Sequence, residues 1–200
     1  MVSINGGKSM YYIIRLLVCT CACVTGILIV NRFSKNNLIA KRIIVIAIST
    51  GFFLGACFLP IENMFVAFSS GEQVYEYVNG NADIIAEIEG EESSLVVENE
   101  NGTYKYLIVR KNQNKWYVDT GINTKTIINE IRDNVLITIY QYGNTNDYYV
   151  EVASLYGDTI QIVDNKSSTF VEVNKGANNS HRLYYAYVKS IDDTYEINTK

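Results

Sequence analysis

Few side chains in this sequence have the types and spacing that catalysis or metal binding requires. His181 is the only histidine, and it lies in a Gly-Ala-Asn-Asn-Ser-His-Arg segment typical of a turn. A zinc site would need further His or Cys ligands, and a Ser-His or Cys-His pair would need a nucleophile motif directed at this histidine. We therefore expect a solvated loop histidine, and we assign no catalytic, cofactor-binding or metal-binding residue.

Four carboxylates around one turn form the next candidate site. Glu87, Glu89, Glu91 and Glu92 surround Gly90, and calcium requires oxygen ligands of this kind. The run lacks the spacing of a known calcium-binding loop, and acidic turns are commonly just solvated. Two interpretations of these carboxylates therefore remain, a calcium site and a simple solvated turn. A pair of carboxylates that hydrolyses a sugar is a further alternative, because the separation of the two groups depends on the fold.

The cysteines occur only in two apolar stretches near the N-terminus, at positions 19, 21, 23 and 57. Cys-x-Cys-x-Cys resembles a metal or redox motif, but in lipid the simpler interpretation is small side chains packing against a neighbouring helix. Residues 61–200 contain no cysteine and therefore no disulfide. That fits a Gram-positive bacterial domain better than an animal or plant ectodomain of this size.

The two apolar stretches, residues 10–30 and 43–60, predict a two-helix transmembrane hairpin. The shorter stretch has 18 residues and would extend about 27 Å as a helix, which just spans the hydrocarbon core. The loop between them, residues 31–42, carries four charges, all positive: Arg32, Lys35, Lys41 and Arg42. Short cytoplasmic loops collect Lys and Arg. We therefore expect this loop in the cytosol, both termini outside, and the lipid bilayer as a partner.

Charge is divided unevenly between the two parts of the chain. Residues 1–60 carry six Lys or Arg and no Asp or Glu, whereas residues 61–200 carry 11 against 21, a net charge of −10. Nucleic-acid binding rests on neutralising phosphates, so the acidic part argues against nucleic acid as a partner. It would also be repelled by an anionic membrane surface.

Two features of the predicted helices bear on how they pack. Arg15 lies near the outer end of the first helix, where we expect it to reach the lipid headgroups; an intramembrane ion or proton site would lack an acidic partner in either helix.

Small residues recur at four-residue spacing, which allows close helix contact. Aligned antiparallel, Gly51 lies level with Ala22, and Gly55 faces Cys19. This register predicts that the small residues close the hairpin, and homodimerisation through Gly51 and Gly55 stays an alternative.

Residues 61–80 predict a juxtamembrane segment with one short helix. Ser69 with Glu72, or Ser70 with Gln73, offers a capping box ahead of residues 74–78. Gly80 supplies a stop signal.

Residues 81–200 predict a mainly antiparallel β domain of two layers. Short β-branched and tyrosine-rich runs alternate with turn residues, which favours a meander over βαβ units. Asn101-Gly102 is the strongest hairpin signal. Residues 124–132 fit a helix or a strand, and their Thr and Ile content favours a strand. The other predicted strands are residues 84–88, 95–98, 104–110, 116–119, 135–142, 148–153, 159–163, 170–173, 183–189 and 195–197.

Fourteen of the 16 tyrosines and the single tryptophan lie in residues 61–200. Aromatic side chains exposed on a sheet bind glycans or peptides well. Tyrosine is also a favoured strand residue whose ring packs while its hydroxyl reaches water. The structural use is the more common one, so the tyrosines indicate a binding surface only if they are exposed together.

A set of short motifs carries a resemblance to a known group of proteins. The motifs are Pro60-Ile-Glu62-Asn63, Phe68-Ser-Ser-x-Glu72, Gly90-Glu-x-Ser-x-Leu95-Val-Val97, Lys115-Trp116, Ile139-Tyr-x-Tyr142 and Tyr184-Tyr-Ala-Tyr187. Together they resemble small, uncharacterised membrane proteins of low-GC Gram-positive bacteria. The resemblance implies transmembrane helices followed by an extracellular β-rich domain, and it implies no activity.

The function that we expect is a non-enzymatic, membrane-anchored binding or accessory domain at the cell surface. Its partner would be a cell-wall ligand, a peptide or another membrane protein. One alternative is an accessory subunit of a transporter or sensor that acts through the hairpin. Another is a carboxylate-based hydrolase, which would need two carboxylates converging in a deep cleft.

Overall fold

The computed structural model describes residues 6–33, 38–58, 60–119, 123–173 and 181–199. Two helices come first, α1 (Gly6–Phe33) and α2 (Leu38–Phe58), and they contact each other. The predicted loop at residues 31–42 is too long, because helix continues to Phe33 and resumes at Leu38. Lys and Arg are good helix formers, so the basic flanks extend both helices.

Helix α1 is long and apolar enough to span a membrane, from Tyr12 to Arg32. Its apolar side chains are largely exposed, Leu16 at 68% and Leu28 at 64%. The apolar part of α2 in the described chain, Arg42–Gly55, is shorter. By length and composition, one N-terminal helix is therefore able to cross a bilayer.

The two helices approach each other closely at Gly26. A Cβ added there would lie 3.1 Å from Ile48 Cγ2, whereas one added at Gly51 or Gly55 would meet no described atom within 4 Å. The close contact that the register predicts is therefore not made at Gly51 or Gly55 in the described part of the chain. Small residues permit a close contact but do not choose the face that makes it.

A 3₁₀ turn (Ile61–Met64) and helix α3 (Gly71–Asn79) connect the helices to the β domain. The Ser70 hydroxyl accepts from the Gln73 amide at 3.2 Å, so the second of the two proposed caps is the one used. Gly80 ends the helix with φ of 89°, as predicted. Helix α3 begins before residue 74 because its cap lies at Ser70.

The first sheet is an antiparallel meander of four strands in the order β1-β2-β3-β4. The Asn101-Gly102 turn joins β2 to β3 with both residues at positive φ, 53° and 86°, which confirms the predicted hairpin. The strands are β1 (Ile84–Glu89), β2 (Ser93–Glu100), β3 (Thr103–Asn112) and β4 (Lys115–Tyr117).

The second sheet has five antiparallel strands in the order β5-β6-β7-β10-β9, and β8 pairs with β11 separately. Residues 124–132 form β5, so the strand interpretation is confirmed and the helical one is wrong. The strands are β5 (Thr124–Arg132), β6 (Val135–Tyr142), β7 (Asp147–Ser154), β8 (Ile162–Asp164), β9 (Val171–Val173), β10 (Arg182–Lys189) and β11 (Ile197–Thr199).

The two sheets pack face to face, as the two-layer prediction requires. Leu95, Val97 and Ile108 of the first sheet share one buried cluster with Tyr149 and Tyr185 of the second. Each sheet also buries its outer face, the first under α3 and the second under residues 160–170 and 191–197. Both faces of β3 are therefore apolar because each contacts a different layer.

One buried carboxylate ties the sheets together. Asp147 is 1% exposed and accepts from the Ser93 hydroxyl at 2.8 Å, the Tyr187 hydroxyl at 3.0 Å and the Glu92 amide at 2.7 Å. A Cβ at Gly90 would lie 2.6 Å from Asp147 Oδ2. Only glycine lets the β1–β2 turn come this close.

Candidate binding groove and membrane junction

The acidic turn does not gather its carboxylates around one point. Glu89 pairs with Lys111 at 2.7 Å, and Glu91 pairs with Lys189 at 2.6 Å. Glu87 turns to the start of α3, where its Oε1 accepts from the Gly71 amide at 2.8 Å. Across the described residues, no three His, Cys, Asp or Glu side chains are grouped to hold a metal ion. These carboxylates cap a helix and join strands.

The other residues singled out from the sequence are also dispersed. His181 is exposed and lies immediately before β10, as expected of a loop histidine. Cys19 and Cys23 are half-buried in α1, Cys21 is exposed, and all three are free thiols. The side chain of Cys57 lies outside the described part.

Arg15 forms an ion pair that the sequence analysis missed. Its Nε lies 2.5 Å from Glu62 Oε1, and its Nη2 lies 3.3 Å from Oε2. The Glu62 side chain is 0% exposed and that of Arg15 is 14% exposed. The expectation that Arg15 reaches for lipid headgroups is therefore wrong, because a carboxylate from the segment after α2 binds it inside the protein.

The same turn also binds the first sheet. The Asn63 side chain donates to the Val118 carbonyl at 2.8 Å and accepts from the Val118 amide at 2.9 Å, as a neighbouring strand would. Arg15, Glu62, Asn63 and Val118 together form what we call the junction. Two consecutive residues thus hold a helix on one side and the β domain on the other.

An open groove of about 400 Å³ runs between α3 and β3. Its lining includes four consecutive residues of β3. Successive side chains of a strand point to opposite faces, so a groove that contacts all four must follow the strand's edge. We call it the edge groove, and its lining residues are Tyr75, Asn79, Tyr104, Lys105, Tyr106 and Leu107.

The hydrogen-bond pattern shows which backbone groups line that edge. Strand β4 pairs with β3 only at residues 110–112, and no described strand pairs with the rest of that edge. The Lys111 amide donates to the Glu92 carbonyl, so residue 111 is a hydrogen-bonded position towards β2. Because such positions alternate, Leu107 also bonds towards β2, and the Tyr106 amide and carbonyl point outwards into the groove.

Tyr106 packs on a tyrosine that is held by a half-buried carboxylate. Its ring, 40% exposed, lies 4.5 Å from that of Tyr140. The Tyr140 hydroxyl in turn donates to Glu151 Oε2 at 3.1 Å. Burial raises the pKa of Glu151, although hydrogen bonds from Tyr185 and Tyr140 oppose the shift. Tyr106 in the groove therefore rests on Tyr140, with the half-buried Glu151 carboxylate beneath that ring.

Replacing Glu151 with Gln is expected to stabilise the fold at neutral pH. A carboxyl whose folded pKa is raised binds its proton more tightly when folded, so wild-type stability falls as pH rises through that pKa. Gln carries no charge and avoids this loss. The gain should therefore shrink as pH falls towards 4, the range of an ordinary Glu. Urea unfolding at both pH values measures it. A variant whose gain is the same at both pH values would contradict the assignment.

A second groove of about 450 Å³ lies on the outer face of the second sheet. Ile128 and Ile137 line its apolar part, and Glu130 and Glu196 are its carboxylates. Glu130 pairs with Arg132 at 2.7 Å. A hydrolase needs one carboxyl free to act as an acid and the other as a base or nucleophile. The Glu130 carboxylate in this groove is already engaged by an arginine of its own strand.

The chain was also compared with known proteins. No protein-family model, curated protein or solved structure matches it. The resemblance to Gram-positive membrane proteins therefore stays a prediction, and the functional argument depends on the site itself.

Proposed function

We propose that this protein is a membrane-anchored, non-enzymatic binding module. In this proposal α1 and α2 cross the membrane as a hairpin, the basic residues at their connection lie in the cytosol, and the β domain lies outside. Four cations at the bend and the absence of Lys and Arg from residues 43–104 support that orientation. The ion pair between Arg15 and Glu62 brings the start of α1 to the end of α2, as a hairpin requires.

The edge groove is the binding site that the geometry supports best. The observation that carries this proposal is the Tyr106 backbone, whose amide and carbonyl point into an open groove flanked by tyrosine side chains. A free strand edge is complementary to another extended backbone. We therefore propose an extended peptide segment as the ligand, paired with β3 and contacting Tyr104 and Tyr106. The net charge of −10 on residues 61–200 favours a neutral or cationic peptide.

An array of extended peptides, probed with the full chain in lipid nanodiscs, tests this proposal. Tyr106→Pro removes the outward amide without removing a bond to β2, and it should abolish binding. Tyr106→Phe is the matched control, because it keeps the amide and loses only the hydroxyl, and it should bind as the wild type does. Circular dichroism checks that both variants fold.

Two results would contradict the proposal. If Tyr106→Pro binds the same peptides with unchanged affinity, the edge of β3 is not the site. If no peptide binds but an array of cell-wall glycans does, the tyrosines form a carbohydrate platform and the ligand class is wrong.

An accessory subunit of a transporter or sensor is the second candidate function. Gly51 and Gly55 favour it, because they leave a surface on α2 where another helix could approach closely. Gly51→Ile with Gly55→Ile should then abolish co-purification of the partner, while Tyr106→Pro should not affect it. The opposite pattern would exclude this candidate and support the edge groove.

A further inference from the structure

In the turn between α2 and the β domain, the charged side chain is buried and the large apolar side chains are exposed, which reverses the usual pattern. Glu62 is 0% exposed, whereas Met64 is 78% exposed and Phe65 is 73% exposed. A segment in water buries its apolar side chains and exposes its charged ones, because burying an unpaired charge is costly. This turn instead places its charge inside and its large apolar groups outside.

The position of the turn indicates what surrounds it. It follows directly after α2, which ends at Phe58, and its Glu62 binds Arg15, three residues beyond Tyr12, the start of the apolar span of α1. The exposed pair Met64 and Phe65 is thus adjacent to both outer helix ends. In water, two neighbouring apolar side chains exposed to this degree would form a hydrophobic patch that favours association with other molecules. At the boundary of a bilayer they would contact acyl chains.

We propose that Met64 and Phe65 insert into the outer leaflet of the bilayer, so that the membrane surface lies beyond the turn and not at Pro60. This inference rests on the proposed transmembrane hairpin and adds a third lipid contact to it. The junction explains how the turn remains there. Asn63 binds Val118 on the side facing the β domain, while the two residues that follow it face the lipid.

The insertion has a consequence for the domain. Because Asn63 and Phe65 are only two residues apart, the β domain is held close to the membrane at the side of β4. Phe68 exchanges both backbone hydrogen bonds with Trp116 of β4 at 3.0 Å, which fixes the segment after the turn as well. The β domain is therefore held in one orientation relative to the lipid surface, because both ends of the connecting segment are bound to the first sheet.

Tryptophan fluorescence with brominated lipids tests the insertion. The full chain carrying Trp116→Phe provides a background without tryptophan. The Trp116 Nε1 has no hydrogen-bond partner, so the change removes no hydrogen bond. Single substitutions Phe65→Trp, Phe52→Trp and Ile131→Trp are then reconstituted in vesicles with bromines at chosen depths. Phe52 is 52% exposed on α2 and Ile131 is 69% exposed on β5, so none of the three replaces a packed side chain.

The expected result is loss of fluorescence at positions 65 and 52 and no loss at position 131. Position 65 should respond most to bromines near the headgroups, and position 52 to deeper ones. Position 131 serves as the exposed apolar control on the second sheet, outside the turn and the two helices. Quenching at 52 but not at 65 would overturn the insertion and leave the hairpin intact. No quenching at either position would overturn the hairpin itself.

Discussion

Replacing Glu62 with Ala should lower the free energy of unfolding by about 3–5 kcal/mol, the usual cost of breaking a buried ion pair by removing one partner. Glu62 is fully buried, and the Arg15 guanidinium lies against it at 2.5 Å. In the variant that guanidinium would remain near the apolar span without the carboxylate. Unfolding by urea in detergent micelles, followed by the fluorescence of Trp116 near the junction, measures the loss.

Two further variants distinguish the loss of the ion pair from the loss of side-chain packing. Arg15→Met combined with Glu62→Leu removes both charges and should recover most of the stability, because well-packed apolar residues can replace a buried pair. Glu130→Ala breaks the exposed pair with Arg132 and should change stability by less than about 0.5 kcal/mol. If Glu62→Ala costs no more than Glu130→Ala, the junction is not a stabilising contact.

Asp147→Ala is the second large effect and acts between the two sheets. The substitution leaves the buried Ser93 hydroxyl, the half-buried Tyr187 hydroxyl and the Glu92 amide without their acceptor. A buried unsatisfied donor costs about 1–3 kcal/mol, and Ser93 can turn its hydroxyl to Tyr149, 2.9 Å away. We expect a loss of about 2–5 kcal/mol, measured by urea unfolding at pH 7.

The controls for Asp147 vary the number of lost bonds. Ser93→Ala removes one donor and should cost about 1 kcal/mol. Asp158→Ala changes an exposed aspartate and should cost less than about 0.5 kcal/mol. A loss for Asp147→Ala as small as that for Asp158→Ala would show that the carboxylate does not hold the sheets together.

Local features of the fold could be predicted because neighbouring residues determine them. Asn101 and Gly102 favour a tight turn by themselves. The Ser70 cap and the Gly80 stop lie ten residues apart and define the two ends of α3. In β3, Ile108 and Val109 are neighbours on opposite faces of the strand, so both faces are apolar, and the structure packs a layer against each. Strand ends were less certain, as at β11, because pairing with β8 decides where a strand begins.

The junction and the groove depend on contacts between distant parts of the chain. Arg15 and Glu62 are 47 residues apart, and no local pattern pairs them. A signal was nevertheless present, since an antiparallel hairpin brings the start of one helix to the end of the next. An acidic residue after Pro60 is thus close to Arg15. The edge groove exists because β4 covers only three residues of β3, which the sequence does not indicate.

Cysteine labelling on intact cells tests the central claim, a hairpin that leaves the β domain outside. In a chain whose four native cysteines are replaced by Ala, Asp158→Cys and Asn36→Cys each provide one target for a maleimide that cannot cross membranes. We predict that Asp158→Cys is labelled on intact cells freed of any wall, and that Asn36→Cys is labelled only after lysis. Labelling of Asn36→Cys on intact cells, with Asp158→Cys protected until lysis, would contradict the account.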